Sequence, residues 1–387
     1  MDWGECLLIL NSCCFKGGNT MKVKIYGAGS IGNHLGHACR NKGWDVLMCD
    51  SDPTALKRTK QDIYPSRYGT WDEAIRLVTP DQLPDEDFDL VIIGTPPDTH
   101  LAIAKSVLET RPPKAMLVEK PVCTPSLEGA QQVLDLANGA GTVACVGYNH
   151  TLTANTVYAE HCLTERLIGK PLSLSVRFRE HWGGIFKAHP WLAGPQDSYL
   201  GYWKRGGGTC GEHSHAINLW QHFATHCGLG RIVEVSATMD MVKENGAEYD
   251  RIALLNVMTE TGEVGDIAQD VITEPAQKQM RIQGSKGYLE WYCNIESGYD
   301  AVFKGVDGDE PEKKMIAKTR PDDFKNEIDH LEKILNGTLD HDDSPIALEC
   351  GLDTMLVVAA AYLSSQKKRA VRINYKAGYC REALEVI

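Results

Sequence analysis

Residues 27–32 read Gly-Ala-Gly-Ser-Ile-Gly, set between a β-rich run, Met21–Tyr26, and a helical stretch that closes at Gly43. The G-x-G-x-x-G spacing alone recurs by chance. Between a strand and a helix it dictates a fold, because each glycine then has a mechanical task. Gly27 makes the tight turn, Gly29 lets backbone approach a pyrophosphate, and Gly32 lets helix and strand pack closely. The first amides of that helix, at Ser30 and Ile31, face the anion with the positive end of the helix dipole. Asp50 ends the second strand, 18 residues beyond Gly32, where a carboxylate accepts from both adenosine ribose hydroxyls and repels a 2′-phosphate. That favours NAD, while Lys57 and Arg58 in the next helix leave NADP open. A glycine turn with no cofactor is the bland alternative, and it sits poorly with this strand–turn–helix setting.

The stretch that follows keeps alternating strand and helix. DVLMCD is a second strand, and Pro53 to Ile63 reads as a helix with proline in its first turn. DLVIIGT (Asp89 to Thr95), KAMLVEK (Lys114 to Lys120) and TVACVGY (Thr142 to Tyr148) are apolar runs of the kind buried on both faces of a parallel sheet. A doubly wound α/β domain over residues 21–147 follows from this alternation. After Tyr148 the period changes. PLSLSVRFRE, RIVEVSATMDMV, RIALLNVMTETGEVGDIAQDV and MRIQGSKGYLEW follow one another with hairpin signals, flanked by helices near Asp322–Leu335 and Ile346–Ser364. Residues 148–387 are therefore expected to form a second α/β domain with a large open, mainly antiparallel sheet. Met21 opens directly into a strand, so residues 1–20 are expected to be a dispensable extension.

Composition narrows the partners. The chain of 387 residues carries a net charge of −12, with 43% hydrophobic and 24% charged residues. Such an acidic surface repels phosphate backbones and anionic lipid, which excludes nucleic acid and membrane as expected partners. Residues 1–20 have an acidic start and a four-residue apolar core, Leu7 to Leu10, unlike a secretory signal. Thirteen scattered cysteines without a CxxC suit free thiols in a reducing cytoplasm.

Four further segments carry chemistry. They are Thr95-Pro96-Pro97-Asp98-Thr99-His100, Glu119-Lys120-Pro121, the stretch GGGTCGEHSHAINLW from Gly206 to Trp220, and RIQGSKGYLEW near residue 285. In this order, after the glycine turn, they resemble the glucose–fructose oxidoreductase/inositol dehydrogenase/rhizopine-catabolism (Gfo/Idh/MocA) family over nearly all of Met21 to Ile373. The resemblance implies a Rossmann domain, bound NAD(P), and hydride transfer at a carbinol or ketone of a sugar, cyclitol or nucleotide sugar. It also implies a homodimer or homotetramer through the second sheet, cofactor contacts at Thr95, Pro96, His100, Glu119, Lys120 and Pro121, and a cis peptide before Pro121 that aims Lys120. Independently, Lys120 ends a parallel strand, where doubly wound folds bind ligands, and its ammonium would polarise a reacting oxygen.

In the family the GGG stretch runs three residues to an Asp and three more to a His. Here Glu212 occupies the acid position, but the step to His215 is one residue short, and Asn218 replaces a later acid. His215 is expected as general base, with Glu212 or His213 standing in for the family aspartate. Cys210, His213, His215 and His222 also permit a zinc reading, disfavoured because no distant ligand set accompanies them. His222 and His226 read as packed or surface groups. The aromatic run before GGG suggests substrate contacts at Lys204 and Arg205, against an alternative in which it only packs. Tyr148, Asn149 and His150 are candidates to bind substrate hydroxyls. Two other functions compete with the oxidoreductase: a non-catalytic dinucleotide or sugar sensor, and a hydrolase or lyase that uses bound NAD transiently.

Overall fold

The computed structural model describes residues 20–387, so the dispensable extension expected at residues 1–20 lies almost wholly outside the described residues. Six strands form the first sheet: β1 (Lys22–Tyr26), β2 (Asp45–Cys49), β3 (Arg76–Val78), β4 (Leu90–Ile93), β5 (Ala115–Val118) and β6 (Val143–Val146). Their order is β3-β2-β1-β4-β5-β6, every pair parallel. β4 and β5 are buried at every position, which is why they read as unbroken apolar runs. The chain reverses its winding between β1 and β4, and such a switch point opens a crevice at the strands' carboxyl ends.

The helix expected from Pro53 to Ile63 is broken in the structure. An α-helix, Pro53–Arg58, gives way to a wider π-turn, Thr59–Ile63, and a short helix, Tyr64–Tyr68. Pro65 has no N–H for the carbonyl four residues back, so the ladder must widen there.

The second sheet holds β7 (Pro171–Arg179), β8 (Ile232–Glu244), β9 (Ala247–Thr259), β10 (Val264–Asp270), β11 (Gln277–Gly284), β12 (Gly287–Glu296), β13 (Tyr299–Val306), β14 (Glu312–Ala317), β15 (Val371–Ile373) and β16 (Leu384–Val386). The order is β14-β13-β12-β11-β7-β10-β9-β8-β15-β16, antiparallel except for β7 beside β10. One face carries the helices Ser214–His226 and Leu348–Lys367. The latter is long and apolar enough for a membrane span by length and composition, yet 78% of its most apolar stretch is buried inside the protein. It is a core helix, apolar because protein surrounds it. The two domains share backbone: Val146 N–H donates to the Ile346 carbonyl at 2.8 Å, on the free edge of β6.

Candidate active site

The glycine turn lies at the switch point. Gly27 has φ +101°, and a Cβ there would stand 2.5 Å from the Gly94 carbonyl oxygen at the end of β4. A Cβ on Gly32 would stand 2.1 Å from the Gly27 carbonyl oxygen. Gly29 differs, since a Cβ there would meet nothing within 4 Å. It faces open space at the start of the helix Ser30–Asn41, whose first turn has no side-chain cap. An uncapped helix start beside an open glycine fits a pyrophosphate. Asp50 braces the turn: its carboxylate accepts from Ala28 N–H at 2.8 Å and Asp52 N–H at 2.9 Å. Each oxygen keeps lone pairs for ribose hydroxyls. The residues present therefore suit NAD.

Lys120 follows β5, and its bond to Pro121 is cis. Its Nζ donates to the Glu212 carbonyl at 2.9 Å and to Glu212 Oε2 at 3.1 Å. The structure thus joins the two domains' catalytic candidates, and of the two stand-ins for the family aspartate, Glu212 is the one that grips Lys120. Burial would raise the Glu212 pKa, but the Lys120 charge and hydrogen bond, with His213, outweigh it and hold the carboxyl low. Glu119 points the other way. It is buried, its Oε1 finds no donor, and desolvation pushes its pKa up to about 7. It packs between Gly94 and Gly147 and forms the floor under Lys120.

His215 lies at the start of the helix Ser214–His226, its ring edge-on to Tyr148 at 5.4 Å and to His150 at 4.6 Å between centroids. Its Nδ1 has no partner. Burial, then the neighbouring His150 and Lys120 charges, push its pKa well below 6.5, so at neutral pH the ring is unprotonated. His213 is more enclosed, with its pKa lowered to about 4 mainly by burial. Asn218 is buried and donates to Thr354 Oγ1 at 3.2 Å, away from the cleft.

The glycines of the GGG run serve close approach. A Cβ on Gly206 would lie 2.8 Å from Pro97 Cβ, and one on Gly208, at φ +74°, would lie 1.7 Å from Asp250 Oδ1. Asp250, fully buried, accepts from Cys210 N–H at 2.8 Å and Tyr362 Oη at 2.5 Å. This network pins the helix Gly208–Glu212 that carries Glu212.

Three expected contacts need correction. His100 is 0% exposed, with Nδ1 3.0 Å from the Pro121 carbonyl oxygen and Nε2 2.7 Å from that of Thr95. It ties two cofactor-side loops together and offers no free edge to a ligand. Arg205, expected to contact substrate, instead pairs with Asp98 at 2.7 Å and so links the GGG run to the start of the helix Pro97–Thr110. Tyr148 is 0% exposed, so it backs His215 and does not reach a substrate. Asn149, also buried, keeps an unpartnered Oδ1. Thr95 is partly buried and bonds Thr99, and Pro96 is exposed at the same rim. Lys204 extends over the Trp203 ring at 5.5 Å.

Much of the aromatic run packs. Trp182, Leu200, Tyr249 and Val271 form a small separate core with Phe186 and Tyr199 against it. Cys210 Sγ lies 3.7 Å from Gln269 Oε1, and among the described residues no three His, Cys, Asp or Glu side chains converge as metal ligands. His222 bonds Glu160 at 2.6 Å, and His226 bonds Thr164 at 3.1 Å. Reading the sequence missed Arg67, which grips Ser30 in the glycine turn; its only signal is an arginine with no acid three or four positions away.

A family model described as "Oxidoreductase family, NAD-binding Rossmann fold" matches residues 21–148, and a GFO/IDH/MocA C-terminal domain matches residues 156–290. A glycosyl hydrolase family 109 protein of Shewanella pealeana is 29% identical over 127 residues, 31% of this chain and 26% of that relative. An uncharacterized oxidoreductase of Escherichia coli, YdgJ, is 34% identical over 86 residues, 22% of this chain and 24% of that protein. The chain thus spans about a quarter of the length of these curated relatives. Among solved structures, the WlbA dehydrogenase of Bordetella pertussis, in complex with NADH and UDP-GlcNAcA, superimposes with a TM-score of 0.67 at 19% identity, covering 92% of this chain and 99% of that one. Levoglucosan dehydrogenase, in complex with NADH and levoglucosan, gives 0.71 at 17% identity, with coverage of 92% and 99%. At these identities the likeness concerns the fold.

Proposed function

Because this chain belongs to the GFO/IDH/MocA oxidoreductase family, with NAD as its cofactor, we propose that it moves a hydride between nicotinamide and a carbinol or ketone of a sugar, cyclitol or nucleotide sugar. The observation that carries this reading is the Lys120–Glu212 contact, which brings a strand-end ammonium from one domain onto the GGG helix of the other. When bound, NAD supplies the hydride acceptor at C4 of its nicotinamide. Lys120 polarises the substrate oxygen, and Glu212, through carboxylate and carbonyl, fixes where that ammonium points. His215, held unprotonated, accepts the hydroxyl proton. Asn149 and Lys204 remain candidates to orient the substrate, whereas Arg205 and Tyr148 act through the scaffold.

We place the protein in the cytoplasm, a reading supported by ten unpaired cysteines among the described residues. Self-association through the second sheet is supported by Leu172, Leu254, Val264, Tyr299 and Met315, large apolar side chains exposed along its strands. The match to a glycosyl hydrolase favours one second reading, in which the same residues would serve cleavage of a glycosidic bond and NAD, when bound, would supply transient redox chemistry with no net change. A panel of sugars, glycosides and nucleotide sugars separates the two. The oxidoreductase accumulates NADH in step with product, and the hydrolase releases product without it. A panel in which no member changes nicotinamide absorbance or is converted leaves neither standing.

A further inference from the structure

Arg67 sits half-buried on the short helix Tyr64–Tyr68. It donates through Nη1 to the Ser30 carbonyl at 2.8 Å and through Nη2 to Ser30 Oγ at 2.7 Å. Both partners are neutral, although a part-buried charge ordinarily finds an opposite one. Burial lowers its pKa, and the like charge of Arg320 lowers it further. Arg320 itself has Asp323 at 3.2 Å and a largely exposed side chain. That carboxylate is shared with Lys318, also at 3.2 Å, and none of these ion pairs reaches Arg67.

The same segment grips the other flank of the turn. Thr59, in the π-turn, donates from Oγ1 to the Ala28 carbonyl at 2.5 Å and accepts from Asn33 Nδ2 at 3.1 Å. Gly29, between the gripped residues, is the open position. A serine hydroxyl has one proton and two lone pairs. With Arg67 donating onto Ser30 Oγ, the hydroxyl proton must point elsewhere.

We propose that Arg67 is a positioning residue for the dinucleotide's pyrophosphate: it fixes the Ser30 hydroxyl as a donor toward the space over Gly29 and offsets part of the anion's charge. This rests on the cofactor seat alone and holds whichever reaction the site catalyses. Calorimetric titration of the full chain with ADP-ribose, which carries the pyrophosphate, and with adenosine, which does not, tests it. Arg67→Met should weaken ADP-ribose about 10- to 100-fold, the worth of one charge-assisted hydrogen bond, and leave adenosine unchanged. Arg67→Lys should lose less. In a Ser30→Ala background the Arg67→Met loss should shrink, because the hydroxyl it orients is gone. If Arg67→Met fails to fold, Arg67→Lys and Ser30→Ala must still show selective loss of ADP-ribose. Equal weakening of both ligands, or unchanged ADP-ribose affinity, overturns the proposal.

Discussion

Gly29→Ala separates the cofactor seat from the fold. A methyl at Gly29 meets no heavy atom within 4 Å, and the residue has φ −84°, which alanine adopts freely. Loss of chain entropy in the unfolded state stabilises by about 0.4–1 kcal/mol, and alanine's poorer helix capping costs about the same. The apo protein should therefore unfold within about 1 kcal/mol of wild type in urea. The same methyl fills the space through which backbone reaches the pyrophosphate. Losing one or two charged hydrogen bonds at about 1.5–3 kcal/mol each should raise the NAD dissociation constant about 10-fold at least, and up to about 10⁴-fold. Gly32→Ala should behave in reverse. Its methyl would lie 2.1 Å from a backbone oxygen, an overpacking that costs about 1–3 kcal/mol of stability before cofactor is added. Wild-type NAD affinity in Gly29→Ala would refute the placing of the pyrophosphate over this glycine.

Other outcomes follow from the same geometry. Lys120→Met should lower kcat/KM by about 10²–10³ on any converted substrate, whereas Glu212→Gln should lose less, because the Glu212 carbonyl still holds Lys120 at 2.9 Å. Gly208→Ala should cost about 2–4 kcal/mol in urea unfolding, since its methyl collides with the Asp250 carboxylate that anchors Cys210 and Tyr362. His100 is buried and its pKa is lowered to about 4, chiefly by desolvation. The unfolded chain takes up that proton near pH 6.5 and the folded ring only near 4, so stability is full above 6.5 and falls as pH drops through that window. The loss attributable to His100 is about 2 kcal/mol at pH 5, and His100→Asn should flatten the slope by about one proton in urea midpoints measured from pH 7 to 5.

The strand–helix alternation of the first domain was legible because parallel strands buried on both faces leave unbroken apolar runs, and because the three glycines have no looser role between strand and helix, whereas β3, three half-buried residues, leaves no such run. The edge of the second sheet was not. β14 carries three charged residues in six and is mostly exposed, and β15 and β16 have three residues each, too few to show a period. The π-turn leaves no periodic mark either, since it depends on Pro65 and on Thr59 reaching Ala28 across the fold. At the site, Lys120 stood out by its place at the end of a parallel strand, and Glu212 and His215 by resemblance to the family's pattern after GGG. Which side chain grips the lysine depends on how the domains meet, so the sequence alone does not choose between Glu212 and His213, and the 3.1 Å contact does. Arg205 and Tyr148 looked available for the same reason. Their side chains suit a sugar, but Asp98 and the His215 ring, both distant in sequence, occupy them. Arg67 was invisible because its partner, Ser30, lies 37 residues away and carries no charge.

Hydride transfer is tested most directly with a converted substrate deuterated at the carbinol carbon, incubated with wild-type protein and NAD, followed by mass analysis of the nicotinamide. The expected result is one deuterium on the nicotinamide ring, formed at a rate that falls by at least about 10²-fold in Lys120→Met. Conversion of that substrate with no label on the nicotinamide, or with the same rate in Lys120→Met, would contradict it.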